Sequence, residues 1–545
     1  MNKHIKIYMS GWSLIYNAIY VILYMVTNKI EQFRFRKQLP KLRCREDLSY
    51  IYIGNELGQK QMMSLSFKGS NLSEIKERDT EIKLSKLRFG YLIENNDLNV
   101  IEFEEICRLY EEIINSKAAD DAYSASERIC NVVIYVNKNM SLSIKQGNKL
   151  RNLLFKDVSN IERKIECYGV SRTNNHLLNN IRALLVIGAS FKDSNYVSKM
   201  VSILNEKVIN IINDDGCLRE GSSHYQKIVT RWVCDICISL KSVKNRHANY
   251  YNELLEKMIN ISIFQSLGRN HRDPIIGDVS PDFTPSFTSN YLGILKDGGN
   301  DSDRCVQNWM SNDGDWIKYT SKGYDVIAHV ESNPHRPRAD HSHADSLSFV
   351  AAYSDKDIVV DLGRRTYMSN SHEFMQATES NYHNSINING QSLTGIVKPY
   401  MNRKWLKKNI TKYSVQLLVS GIFIQALDVK NIKNVKSVGR KILVEDESII
   451  ITNEIIFDEL VNDYEIKMNF NLSGAVMING NNSQIHIANE EYRIETPVNH
   501  VVTATESSRF TRYMQDINYL ATSLKYINIF SGERYFSVIK IEKLL

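Results

Sequence analysis

The residues best suited to chemistry lie in one short run, His341-Ser342-His343-Ala344-Asp345. It follows a basic, proline-flanked stretch, Pro334-His335-Arg336-Pro337-Arg338. Six of the thirteen histidines fall between His329 and His383, a concentration that marks a site. Imidazole titrates near neutrality, so it can carry protons or ligate a metal. The run is read as dividing its labour between two faces. One of the two can bind a metal or pack inward while the other faces a cleft.

Three further segments carry candidates. Asn174-Asn175-His176 opens a predicted helix, where Asn most often serves as a cap. Asp215-Gly216-Cys217-Leu218-Arg219-Glu220-Gly221-Ser222-Ser223-His224-Tyr225 leads into another helix. There Tyr225 shares an apolar stripe with Val229, Trp232 and Ile236 and would also serve as core. Val359-Val360-Asp361-Leu362-Gly363 and His383-Asn384-Ser385-Ile386-Asn387-Ile388-Asn389-Gly390 follow the histidine run. Asp361 and His383 are as compatible with a hydrogen-bonded pair as with a metal site. His335, Arg336 and Arg338, like Arg269, His271 and Arg272, suit carboxylates or sulfates, which guanidinium binds bidentately, or belong to solvated loops.

Two kinds of scaffold must position these groups. No proline occurs between Pro40 and Pro274, which suits an all-helical stretch. Leu177, Leu178, Ile181, Leu184, Leu185 and Gly188 recur at helical spacing, as do Val201, Leu204, Val208 and Ile211. The second run stops at the turn Asn213-Asp214-Asp215-Gly216. After about residue 320 the period becomes two. Tyr464, Ile466, Met468, Phe470 and Leu472 alternate with polar residues, and Ile485/Ile487 and Tyr492/Ile494 do the same. Tyr526–Phe530, Ser531-Gly532 and Tyr535–Ile541 read as a hairpin, and Asn479-Gly480-Asn481-Asn482 as a turn. Helices before strands imply two domains and an antiparallel sandwich. The expected boundaries are a basic and apolar N-terminal segment over 1–45, a helical domain over 46–315 and a strand domain over 316–545.

Bulk properties narrow the classes. At 545 residues with 43% hydrophobic and 24% charged content, the chain is a globular protein with more than one core. Residues 1–45 hold nine Lys/Arg and one acid, so the remainder is close to neutral despite the net +6. No nucleic-acid partner is expected, and an anionic ligand must be held by local clusters. The eight cysteines all precede residue 306 without a disulfide framework, and Cys234-x-x-Cys237 has no second CxxC, so buried free thiols are expected. The apolar run Trp12–Thr27 is short for a membrane span and lacks a cleavage pattern; residues 12–37 read as a packing or membrane-surface segment.

Taken in order, the four chemical segments resemble the heparinase II/III-like polysaccharide lyases, which include heparin and heparan sulfate lyases and exo-acting alginate lyases. The resemblance covers the chain from about residue 90 onward. It implies an N-terminal (α/α) toroid, a C-terminal antiparallel β-sandwich and a cleft between them. It also implies β-elimination on a uronate-containing acidic polysaccharide, with no organic cofactor. On that resemblance Asn175 neutralises the uronate carboxylate, Tyr225 is a general acid and a candidate for the base as well, and His341 is the second acid/base group. His176, Glu220, His271, Arg338 and Tyr367 would contact substrate, although Arg364-Arg365 before Tyr367 departs from the familiar pattern. His343, Asp361 and His383 match the zinc ligands of metal-containing members, the ion being mainly structural. A cell-envelope or periplasmic location is implied, with the cytoplasm as the alternative in the absence of a cleavable signal. Two other readings fit the same residues: a uronyl C5-epimerase, and non-catalytic binding of a capsular or O-antigen polysaccharide.

Overall fold

The computed structural model describes residues 26, 29–42, 87–90, 92, 101–116, 120–167, 174–269, 271–280, 308–313, 315–330, 341, 343–364, 377–393, 411–430, 432–474, 477–481, 484–488, 492–495, 500–509 and 519–543. His335, Arg336, Arg338, Tyr367, Cys44, Cys305 and all of the Trp12–Thr27 run except Val26 lie outside them.

The proline-free half is helical. Its elements are α1 (Phe103–Ser116), α2 (Ala122–Asn139), α3 (Ile144–Lys164), α4 (Asn175–Ser190), α5 (Ser194–Val208), α6 (Ser223–Ser242) and α7 (Ala248–Phe264), after a helical stretch over 29–38. Their starts are set by side-chain caps: Asp121 accepts from the Ser124 amide, Ser143 and Gln146 form a capping box, and Asp193 accepts from the Tyr196 amide. No described helix is long and apolar enough to cross a membrane.

Helix α4 is the hub of this half. Every one of its residues except His176 is buried, so it cannot lie on the surface. Leu177, Leu178, Ile181, Leu184 and Leu185 fill one contiguous core with Trp232, Val229 and Ile236 of α6. Each such apolar side chain contributes about 1.5–3 kcal/mol on burial. Arg182, also fully buried, bonds Glu127 of α2 at 2.8 Å and Asp235 of α6 at 2.6 Å. A lone charge there would be prohibitive, so the three helices are locked in one register by their ion pairs. The described cysteines Cys107, Cys130, Cys167, Cys217, Cys234 and Cys237 are all buried, and none of them is in a disulfide. Ile211 falls just beyond α5, because the chain turns there into the Ile212–Leu218 bridge around Asn213–Gly216.

The second half is a large antiparallel sheet. Its strands are β1 (Trp309–Met310), β2 (Trp316–Ser321), β3 (Tyr324–His329), β4 (Phe349–Tyr353), β5 (Lys356–Val359), β6 (Ile386–Ile388), β7 (Gln391–Ser392), β8 (Lys412–Leu418), β9 (Gly421–Leu427), β10 (Val435–Val444), β11 (Ser448–Ser473), β12 (Met477–Asn481), β13 (Gln484–Ala488), β14 (Tyr492–Glu495), β15 (Val501–Arg509) and β16 (Tyr519–Lys543). The main path runs β1-β2-β3-β4-β5-β11-β16-β14-β13-β12. The alternating apolar residues Ile466, Met468, Phe470 and Leu472 fill its core together with Ile422, Ile442, Ile455, Leu524 and Ile539.

Two strand-level expectations are corrected. Ser531-Gly532 is no hairpin turn: β16 runs through it, and both its arms pair with β11, whose register slips between Ile456 and Tyr464. Both long strands bend together there, with Gly532 opposite Val461, so the glycine serves an irregularity. Asn479, Gly480 and Asn481 are paired inside β12. Asn469 and Asn471, the polar residues of the alternation in β11, are buried as well. Ser523 donates to Asn471, whose own amide groups bond Tyr382 and Asn384.

The halves meet through a small apolar cluster: Cys217, Ile261, Leu267 and Ile276 pack on Trp316, Ile327, Val350 and Ala352. Lys318 of β2, buried, reaches the Ser266 carbonyl at 2.7 Å. These contacts fix the sheet against the helices at the level where the chemical segments converge.

Candidate active site

Asn174, not Asn175, caps α4: its side chain accepts from the His176 amide at 3.2 Å. Asn175, the first helical residue, is therefore released from capping, and its side chain is fully buried. Its backbone N–H donates to Glu220 Oε1 at 2.8 Å, and its Nδ2 lies 2.9 Å from His341 Nε2. Its Oδ1 is buried and has no hydrogen-bond partner. His176 turns the other way, with Nδ1 2.9 Å from Glu166 Oε1 and its ring against Tyr123.

Tyr225 occupies the first turn of α6. The Ser222 hydroxyl caps that helix by accepting from the Tyr225 amide at 3.1 Å, and it donates to the Asp278 carbonyl at 2.8 Å. Ser223 bonds Asp273 at 2.6 Å and takes the Ile276 carbonyl on its N–H. The stretch 273–278 thus clamps the turn that carries Tyr225. The Tyr225 ring stacks on His341, with centroids 3.6 Å apart and planes 11° from parallel. The stripe reading of Tyr225 is thus only half of its environment: the ring is buried, but against the histidine.

His341 is the meeting point. Besides Asn175 and Tyr225, its Nε2 lies 3.3 Å from Glu220 Oε2 and its Nδ1 2.9 Å from Asp278 Oδ2. The division of His341 and His343 between opposite faces is corrected here. Residues two apart in a strand share a face, and neither His341 nor His343 lies in a strand here. Both side chains converge on one carboxylate: His343 Nε2 is 2.7 Å from Asp278 Oδ1, which Arg364 also contacts. Burial alone would raise the Asp278 pKa, but the Arg364 charge and the two histidine hydrogen bonds outweigh it and hold the group well below the usual carboxylate range.

Beyond His343 lies His383, with ring centroids 5.1 Å apart. His383 Nδ1 is 2.8 Å from Asp361 Oδ2, and Nε2 is 3.0 Å from the Ala377 carbonyl. Burial would lower the His383 pKa, but Asp361 and then Asp345 raise it to about 9. The donor types suit zinc. One atom is also poised for it: His343 Nδ1 is buried without a hydrogen-bond partner, while its Nε2 is oriented by Asp278, the arrangement a metal-bound histidine needs. As they stand, however, Asp361 and His383 are closed on each other, and no group of three or more such residues among those described is arranged as a metal cage.

The structure thus brings together Asn175, Glu220, Tyr225 and His341 from the sequence candidates, with His343, Asp361 and His383 one layer behind. His271 sits instead in the turn closed by the Leu267–Arg272 bridge, with φ at 52°. That turn is tied to the sheet by Arg272 to Asp357 and by the Gly268 N–H to Asp325. Asp278 and Arg364 were missed. The signal for Asp278 was the Gly277-Asp278 pair in the link between helices and strands, an acid beside a residue free to take a left-handed turn. Arg364 stood out only as a departure from the familiar pattern.

Comparison with solved structures shows the fold. A heparinase III structure aligns over 87% of this chain and 79% of its own, with a TM-score of 0.64 at 14% identity. A second heparinase III aligns over 94% and 87%, with a TM-score of 0.59 at 13% identity. The heparan sulfate lyase HepC from Pedobacter heparinus aligns over 87% and 78%, with a TM-score of 0.54 at 12% identity. The architecture is therefore that of the heparinases, a helical N-terminal region and a large antiparallel sheet domain. No curated protein matches the sequence. Residues 307–513 match the family model described as heparinase II/III-like, C-terminal. The sequence match thus covers the strand half of the chain, and the likeness of fold extends to the helical half.

Proposed function

We propose that the protein is a polysaccharide lyase that cleaves a uronate-containing acidic polysaccharide by β-elimination. The observation that carries this reading is the junction of Asn175, Tyr225 and His341, an amide, a phenol and an imidazole from separate segments within hydrogen-bonding or stacking distance. In the same reading the helices form an (α/α) toroid over 46–315, the strands form a β-sandwich over 316–545, and the cleft between them takes the polymer.

The reaction removes the proton on C5, forms the C4=C5 double bond and breaks the bond from C4 to the linking oxygen. The C5 proton is very weakly acidic until the adjacent carboxylate is neutralised. Asn175 supplies a fixed amide donor for that carboxylate, and it stands at the positive end of α4, with the α6 N-terminus alongside. When the carboxylate takes the amide, His341 Nε2 is released to accept the C5 proton. Glu220 Oε2, 3.3 Å away, then stabilises the imidazolium. The Tyr225 hydroxyl gives its proton to the departing oxygen. Glu220 lines the sugar-binding side in this reading, and His176, which faces Glu166, is proposed as a contact further along the polymer. His271, Arg338 and Tyr367 are proposed as outer contacts.

Zinc belongs to the proposal through His343, Asp361 and His383. When bound there it would supply positive charge that braces the sheet behind His341. The heparinase and heparan sulfate lyase names of the structural neighbours make sulfated uronate polymers the first substrates to try. Purified protein is incubated with a panel of acidic polysaccharides while near-ultraviolet absorbance of the unsaturated uronyl product is followed. Rising absorbance is expected on at least one. A flat trace on all of them with folded protein refutes the lyase, and deuterium entering C5 without cleavage reassigns the site to an epimerase.

A further inference from the structure

We infer that Asp278 is a positioning residue that sets the tautomer of His341, aiming the Nε2 lone pair at the point where Asn175 and Tyr225 meet. This rests on the lyase reading for its consequence in turnover, but not for its geometry. A carboxylate only accepts hydrogen bonds. With Asp278 Oδ2 2.9 Å from His341 Nδ1, the ring proton must sit on Nδ1. In the neutral ring Nε2 is then the acceptor, and Asn175 Nδ2 at 2.9 Å is placed to donate to it, while Glu220 Oε2 at 3.3 Å is the partner of the imidazolium once Nε2 has taken a proton. The opposite tautomer would set a lone pair against the carboxylate and an N–H against the amide N–H.

Asp278 is itself held from both halves of the chain. Its N–H donates to the His341 carbonyl at 2.9 Å, so its backbone and side chain grip the same residue. Its carbonyl accepts from Ser222, the cap of the helix bearing Tyr225. Its other carboxylate oxygen takes His343 and Arg364. A residue so fixed, and fully buried, can define one ring orientation for His341. The histidine run then receives its geometry from a residue more than sixty positions upstream. Loss of a carboxylate that sets a histidine tautomer costs up to about ten-thousandfold in kcat in enzymes of other classes.

The test pairs kinetics with spectroscopy on the full chain. In Asp278→Asn the side-chain amide can donate to Nδ1 and favour the wrong tautomer. The expected result is a fall in kcat on the order of hundredfold or more with KM nearly unchanged. Ring 15N shifts of histidine-labelled protein, with the His341 signal identified by its absence in His341→Gln, should show Nδ1–H in the wild type and a shift toward Nε2–H in Asp278→Asn. A wild-type spectrum with the proton on Nε2, or a variant with unchanged kcat, overturns the assignment. Should Asp278→Asn fail to fold, the wild-type spectrum alone still decides. Should the wild type cleave no polysaccharide, the lyase reading falls, while the spectrum judges Asp278 independently.

Discussion

Tyr225 and His341 come from opposite halves of the chain, yet their rings stack with centroids 3.6 Å apart. The stack ties the helical half to the proton-transfer histidine. It also allows chemistry to be separated from packing. Tyr225→Phe keeps the ring and removes only the hydroxyl, so the unfolding midpoint should hold while kcat falls by about 10²–10⁴. His341→Gln should lose a similar factor. Groups that act as a unit are not additive, so the double variant should be no slower than the worse single variant. Product absorbance under saturating polysaccharide measures all three. A Tyr225→Phe variant at wild-type rate would show that the ring alone is what matters.

Gly277 lies close against the backbone of both the Gly221 turn and His341. Its φ is +77°, and a Cβ there would lie 2.5 Å from the Gly221 carbonyl oxygen and 2.6 Å from that of His341. Both are backbone atoms, so neither can swing aside. Gly277→Ala should therefore push the Glu220–Ser222 turn away from the His341 segment, destabilise the protein by about 1–3 kcal/mol and lower activity more than stability. Denaturant unfolding and turnover, measured on the same preparation, check both parts. Unchanged activity would mean that the two backbones need not meet so closely.

Helix content was legible because Leu177–Gly188 and Tyr225–Ile236 repeat at a spacing that only a helix serves. The alternation from Ile466 to Leu472 identified β11 equally well. Reading failed where neighbours, not pattern, decide. Ser531-Gly532 has the composition of a turn, but the partner strand β11 bends at the matching place and keeps β16 continuous. Asn174 and Asn175 are identical side chains one residue apart; the helix start gives the cap to the first and the site to the second. Asp278 could not be joined to His341 from spacing at all, since no local pattern links residues that the fold alone brings within 2.9 Å.

His343 bears a buried ring nitrogen without a hydrogen-bond partner, and beside it His383 pairs with Asp361. If zinc belongs there, protein purified without chelator should carry about one zinc per chain. His383→Ala should lose it and unfold at lower temperature, since metal bound only by the folded state adds to stability. Elemental analysis together with thermal unfolding, before and after dialysis against a chelator, provides the measurement. Metal-free protein whose midpoint does not move on adding zinc would leave Asp361–His383 as a hydrogen-bonded pair.

Lys227 and Asp273 form a fully buried ion pair at 3.3 Å behind the first turn of α6. Burial pushes the Lys227 pKa down, and Asp273 only partly restores it. Burial would raise Asp273, but Lys227, His224 and the Ser223 hydroxyl outweigh it and hold it below its ordinary 3.8. A carboxyl depressed in the folded state gives stability that is present above the unfolded pKa and lost as pH falls through the folded one. A buried lysine with a depressed pKa acts in the same direction: the unfolded chain binds its proton more readily, so its penalty is relieved as pH rises. Asp273→Asn leaves Lys227 buried without its counter-charge and should cost about 3–5 kcal/mol at neutral pH. The gap from wild type should narrow below about pH 4, where the wild type also loses the carboxylate, and again at alkaline pH, where Lys227 sheds its proton. Urea unfolding across pH 3 to 10 measures the curve. A gap that stays constant over that range would show that the pair's charge contributes nothing to holding the turn that carries Tyr225.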